Sequence, residues 1–190
     1  MIQSIHSTLK QPILSIVFGA MFLIFLSGSI KAQDIQFGLG ASLGMAPSLS
    51  LNEKNSSASF YSVYADLILK KKFIGRAQLS IFNSSSFTGD LEGEVESGLA
   101  LNGSLGYNVI FSSVPKLELP LMGTLGYVSV KDDSYHWPGM QFGATFAPKY
   151  MLTEKIATNI TFRYLIGTAF NNGRPVSQTD VSLGVMFNLF

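Results

Sequence analysis

The side chains best suited to chemistry in this 190-residue chain are few and widely spaced. One group centres on His136, within Lys131-Asp132-Asp133-Ser134-Tyr135-His136-Trp137. Histidine, serine and acid together are the residue types that activate a hydroxyl by general-base catalysis, provided base and nucleophile sit within hydrogen-bond reach. All of them fall in one polar link, and an exposed loop histidine beside tyrosine and tryptophan is the better reading of it. A second group is Asp90, Glu92, Glu94 and Glu96, interleaved with Leu91, Gly93 and Val95. Alternate residues share one face of a strand. These carboxylates would therefore line up, either to bind divalent cations or basic partners, or simply as a solvated acidic face. A third group, Asp66, Arg76, Glu118, Arg163 and Asp180, is scattered among small and apolar residues.

Other chemistries are excluded. Cysteine is absent, which removes thiolate metal sites, a cysteine nucleophile and any disulfide framework. No metal site and no cofactor is expected. Gly38-Leu39-Gly40-Ala41-Ser42-Leu43-Gly44 approaches a dinucleotide fingerprint, but its last spacing is wrong and Pro47 follows where a helix should open. Asn159-Ile160-Thr161 matches a glycosylation acceptor but falls inside a strand pattern. Net charge is +1 with no basic stripe, so nucleic acid is not an expected partner.

These residues must be positioned by a chain of unusual composition. It is 47% hydrophobic but only 13% charged, about half the charged share of an ordinary soluble domain. Part of that excess is an address. Lys10 precedes the apolar run Pro12 to Ile30, which ends in small residues and Lys31-Ala32-Gln33. This is the layout of a secretory signal peptide, with cleavage expected after Ala32. The reading gives residues 1–32 as signal peptide and 33–190 as a single domain. An uncleaved anchor is the competing reading of the same run.

The remaining chain alternates with period two in eight segments, the signature of strands. The outward sets begin with Ile35, Phe37, Leu39, Ala41, Leu43 and Met45, and end with Val181, Leu183, Val185, Phe187 and Leu189. The clearest is Leu99, Leu101, Gly103, Leu105, Tyr107, Val109 and Phe111. Charge is absent from every apolar face. Links alternate in length: 46–60, 82–98, 128–139 and 167–180 are long, whereas 70–72, 112–116 and 151–155 are short. In a soluble barrel the second face would meet water and carry many charges. Here it is mostly Gly, Ser, Asn, Thr and Gln, which suits a crowded lumen, with the apolar face turned to lipid.

Signal peptide, eight dyad strands, alternating link lengths and terminal Phe190 together resemble the small OmpA/OmpX-type outer-membrane barrels. The resemblance implies an all-β, eight-stranded antiparallel up-and-down transmembrane β-barrel in the outer membrane of a Gram-negative bacterium. It also implies periplasmic termini, extracellular long loops and insertion by the barrel-assembly machinery. Phe190 departs from the pattern, being one step out of phase with Val185, Phe187 and Leu189.

Eight strands leave an interior that side chains can fill. Asp66 and Arg76 are symmetric about the short link at Lys71 and should face each other, with Glu118 near Arg76. Arg163 and Asp180 are symmetric about the link near 171–172 and should pair towards its extracellular end. The expected aromatic girdles are Trp137, Tyr135, Phe87 and Phe170 on the outer side and Phe73, Phe111, Tyr150 and Phe187 on the periplasmic side. The function that follows is a non-catalytic barrel with a plugged lumen and recognition loops serving adhesion, surface protection or envelope integrity. A narrow porin-like channel and a lipid A-modifying enzyme using His136 are the alternatives. Outer-membrane lipids and lipopolysaccharide are the expected partners, and the chain is expected to be a monomer.

Overall fold

In a computed structural model the chain is described for residues 35–51, 54–84, 95–132, 136–170, 173 and 175–189. The segment read as a signal peptide lies outside these residues. Nine strands follow one another: β1 (Ile35–Leu51), β2 (Lys54–Leu69), β3 (Phe73–Ser84), β4 (Val95–Ile110), β5 (Leu117–Asp132), β6 (His136–Phe146), β7 (Lys149–Met151), β8 (Ile156–Ala169) and β9 (Pro175–Asn188). Each is antiparallel to its neighbours, and β1 pairs with β9, so the sheet closes on itself. β6 and β7 both lie between β5 and β8 and form two halves of one stave. The result is a closed eight-stave up-and-down barrel, as the periodicity predicts. None of the described residues forms a helix long and apolar enough to cross a membrane.

The staves are tilted. Following paired residues round the sheet from Leu39, through Ala65, Ala77, Gly103, Leu125, Phe142, Ile166 and Ser177, returns to β1 at Ser50. That offset is the stagger a barrel needs in order to close. Two irregularities have local causes. Register shifts in β1 between Ala46 and Leu49, where Pro47 cannot donate to the ladder and the inward set passes from even to odd positions. The sixth stave breaks at Ala147-Pro148 for the same reason. There the ladder is bridged by Ala147 N–H to the Pro120 carbonyl and Ile160 N–H to the Pro148 carbonyl.

One end of the barrel carries the short turns and will be called the turn end; the other is the loop end. The loop end corrects the sequence reading, because most residues assigned to long links are strand. Residues 46–60 are nearly all β1 and β2, and 128–139 and 167–180 are largely extensions of β5, β6, β8 and β9. Polar and glycine residues blurred the alternation there without breaking the ladder.

At the turn end the β2–β3 link is the three-residue turn 70–72, closed by Lys72 N–H to the Leu69 carbonyl at 3.1 Å. Its first two residues, Lys70 and Lys71, have φ of 52° and 57°. Hairpin turns of this handedness favour Asn-Gly, since a Cβ in the left-handed region costs about 1–2 kcal/mol per residue. Replacing Lys70→Asn with Lys71→Gly should therefore raise stability by roughly 1–2 kcal/mol, measured by urea unfolding of the vesicle-inserted protein.

Candidate functional site

The outer surface is an apolar belt. Leu43, Leu105, Leu121, Phe142 and Leu183 are all at least 58% exposed, and no charged side chain interrupts the described outward positions between them. Aromatic residues edge this belt. Phe73 meets Tyr107 edge-on with ring centroids 5.9 Å apart, and Phe111, Tyr150 and Phe187 share that end. At the other end Tyr127 stacks on Phe170 at 6.2 Å. Phe87, Tyr135 and the side chain of Trp137 lie outside the described residues.

Inside, the β2–β3 hairpin gives the layering directly. From the turn upward its inward pairs are Ile68/Ile74, Asp66/Arg76, Tyr64/Gln78, Ser62/Ser80 and Phe60/Phe82. Apolar layers thus bracket a polar middle. The lower one joins Ile68 and Ile74 to Met122 and Ala147. The upper one joins Phe60 and Phe82, 5.5 Å apart, to Ala46, Leu49, Ala58, Ala100, Val128, Val130, Ala169 and Val176. It draws on β1, β2, β3, β4, β5, β8 and β9, and so crosses the whole bore.

Inward glycines make this packing possible. Gly40 pairs with Tyr64 and Gly44 with Phe60 across β1–β2, and a Cβ at either glycine would collide with the partner ring. The glycine-rich stretch in β1 is therefore a seat for two aromatic rings. Asn159, the glycosylation-like asparagine, is buried and accepts a 2.5 Å hydrogen bond from the Tyr64 hydroxyl.

The polar middle contains six buried charges among the described residues, three of each sign. Arg76 donates from Nε to Asp66 Oδ1 at 2.7 Å and from Nη2 to Oδ2 at 2.9 Å, a bidentate fork. Its guanidinium lies 4.4 Å from the Tyr64 ring centroid and reaches Thr161 Oγ1 at 3.3 Å. The pairing expected for Asp66 and Arg76 is correct. The partner expected for Glu118 is not: it meets Lys149 Nζ at 3.2 Å and accepts from Asn108 Nδ2 at 3.0 Å. Lys149 is the member missed by sequence reasoning. Its Nζ also lies 3.5 Å from Asp66 Oδ2, linking the two carboxylates. Outward Tyr150, one position later, was the signal that Lys149 points inward.

Arg163 faces Asp180 as expected, donating from Nε and Nη2 to Oδ2 at 2.9 and 2.8 Å. The pair sits halfway along β8 rather than near the extracellular end, because the strands continue beyond it to Ala169 and Pro175. Gln178 Nε2 adds a third donor to the same oxygen at 2.6 Å. Below, Ser104, Thr124 and Thr145 form a hydroxyl chain with 2.8 and 2.7 Å contacts.

At the loop-end rim, His136 pairs in register with Lys131 on the outward face. Its Nε2 lies 2.6 Å from Ser129 Oγ, a partner that sequence proximity to Ser134 did not suggest. Asp90, Glu92 and Glu94, and the side chain of Glu96, lie outside the described residues. Among the described residues no cluster of ligand-type side chains could hold a metal ion.

The buried charges are coupled, since removing Arg76 leaves Asp66 between two apolar layers with only Lys149 at 3.5 Å to compensate it. Arg76→Ala should destabilise the barrel by about 3–5 kcal/mol. Asp66→Asn combined with Arg76→Gln should cost clearly less, as a double-mutant unfolding cycle would read. Additive effects at 66 and 76 would show that the fork contributes no coupling.

No protein-family model matches the chain, and no curated protein does. Solved structures do. Neisserial surface protein A superposes with a TM-score of 0.62 at 14% identity, over 80% of this chain and 96% of that one. The outer membrane protein OprG of Pseudomonas aeruginosa gives 0.54 at 9% identity, over 81% and 95%. Outer membrane protein H (OprH) of P. aeruginosa gives 0.53 at 16% identity, over 81% and 99%. At such identities the likeness is one of fold, and the chain has the fold of the small eight-stranded β-barrels of bacterial outer membranes.

Proposed function

We propose that the chain is a non-catalytic barrel of a Gram-negative outer membrane, with a sealed lumen and with hairpins at its loop end that do the recognising. The observation that carries this is the filled bore beneath an exposed apolar belt. Lipid covers the belt, where a Lys or Arg at mid-depth would cost about 2–4 kcal/mol. Water is excluded from the bore by the Phe60/Phe82 layer above and the Ile68/Ile74 layer below. Between them the buried charges balance, three of each sign, and each is held by an opposite charge rather than offered to a permeant ion.

In this reading residues 1–32 direct export and are removed. The termini and short turns face the periplasm, the hairpins face outward, and the barrel works as a monomer. Its partners are outer-membrane lipids, lipopolysaccharide and, during insertion, the barrel-assembly machinery. Adhesion, surface protection and envelope integrity are the roles open to such hairpins, and the acidic 90–96 stretch supplies one recognition surface. A narrow channel is the reading that the filled bore disfavours. Purified protein inserted into a planar bilayer should give no conductance steps. Reproducible channels that disappear on heat denaturation would overturn the sealed lumen.

One observation favours a second reading. Ser129 Oγ and His136 Nε2 are 2.6 Å apart on the outward rim. Acyl transfer would need the histidine to take the serine proton and an acid to orient the ring. The filled bore and the apolar belt call for no such chemistry, so the non-catalytic reading is preferred. A fluorophosphonate probe should leave Ser129 unlabelled. Labelling that is lost in Ser129→Ala and His136→Asn would establish the alternative.

A further inference from the structure

The two ends of the barrel differ in charge as well as in link length. At the turn end, Lys70, Lys71 and Lys72 occupy the β2–β3 link, Lys116 the β4–β5 link and Lys155 the β7–β8 link, all exposed. Glu154 is the one acid exposed there among the described residues. The sequence joining strands at the loop end is instead rich in acid, with Asp90, Glu92, Glu94 and Asp133. Those three lysine-bearing turns are distributed round the rim, with the β1–β9 seam completing the circuit.

We propose that the turn end is a lipid-recognition collar, in which Lys70, Lys71, Lys72, Lys116 and Lys155 hold the phosphates of anionic phospholipids in the surrounding leaflet. The proposal rests on the membrane reading above. Depth is set by the exposed aromatics Phe73, Tyr107, Phe111, Tyr150 and Phe187, which mark the edge of the apolar belt. Lys72 directly precedes Phe73, and strand rise is about 3.3 Å per residue. The turn therefore falls within the ~5–7 Å headgroup zone beyond the hydrocarbon. Lysine stems are long and flexible enough to carry their ammonium groups sideways to neighbouring phosphates. Juxtamembrane lysines attract anionic lipid in this way.

The strained turn is independent support. Lys70 and Lys71 hold φ of 52° and 57°, where Asn-Gly would fold with less cost. A contact that only cations can make accounts for lysine at both positions.

The test is boundary-lipid selectivity by electron spin resonance, with the full chain in phosphatidylethanolamine/phosphatidylcholine vesicles. Spin-labelled phosphatidylglycerol should be enriched at the barrel about threefold or more over spin-labelled phosphatidylcholine at low salt. High salt should bring the ratio towards parity, and so should K70Q/K71Q/K72Q/K116Q/K155Q. K70Q/K71Q/K72Q alone should remove much of the preference, which keeps the test available should the fivefold variant fail to fold. Lys131→Gln, at the loop-end rim of β5, should leave it unchanged. No preference in the unaltered protein, or a preference surviving loss of the turn lysines, overturns the collar. Failure of the unaltered protein to insert, seen as the lack of a heat-modifiable gel shift, strikes the membrane reading instead.

Discussion

β1 meets β9 from Gly38↔Asn188 to Leu51↔Val176, and this seam leaves the sheet without an edge. In hydrocarbon no water is present to satisfy a free backbone amide or carbonyl, so closure is the condition under which strands can lie in a bilayer. Closure also fixes the size of the bore. Eight tilted staves leave an interior narrow enough for side chains to fill, so inward residues must fit against one another. The seats of Gly40 under Tyr64 and Gly44 under Phe60 answer that crowding, as does the balanced set of six buried charges.

The buried charges differ from ordinary surface ion pairs. With apolar layers on both sides, Asp66 depends on the Arg76 fork and on Lys149, while Glu118 depends on Lys149 and Asn108. The residues come from β2, β3, β4, β5 and β7, so no single hairpin can satisfy the set. Partners arrive together only when distant staves are in register. A sheet with the wrong register would leave a carboxylate or an ammonium facing apolar side chains, a far larger penalty than a misplaced serine. The charges thus help to specify which barrel forms, beyond any net stability they contribute.

Most of the architecture is legible in the sequence because a lipid-facing strand has a rule it cannot break: apolar at every second position. That rule gave the number of staves, the outward sets and the Asp66–Arg76 and Arg163–Asp180 pairs, which depend only on counting from a turn. It failed where other forces took over. Strand extensions at the loop end, such as Lys54–Ser59, leave the apolar belt, so their alternation carries no lipid signal although the ladder continues. The inward apolar layers were readable by parity, since Phe60, Ile68, Ile74 and Phe82 all fall on even positions of β2 and β3. A description of the inner face as simply polar concealed them. Lys149 was hidden behind Pro148, where the broken stave made its direction ambiguous. The Ser129–His136 contact is across strands, between residues seven apart in sequence, and no local motif announces it.

The upper apolar layer separates two regimes of the molecule. Beneath it, the fit of each side chain depends on neighbours from several staves, and one altered volume disturbs the rest. Above it, the described strand ends run beyond the apolar belt, as Lys131 and His136 do on the outward face. The Phe60/Phe82 layer therefore acts as a bulkhead: a side chain altered above it leaves the packing of the polar chamber below undisturbed. The strand ends above are in this way mechanically insulated from the part of the chain whose volumes must match for the barrel to close.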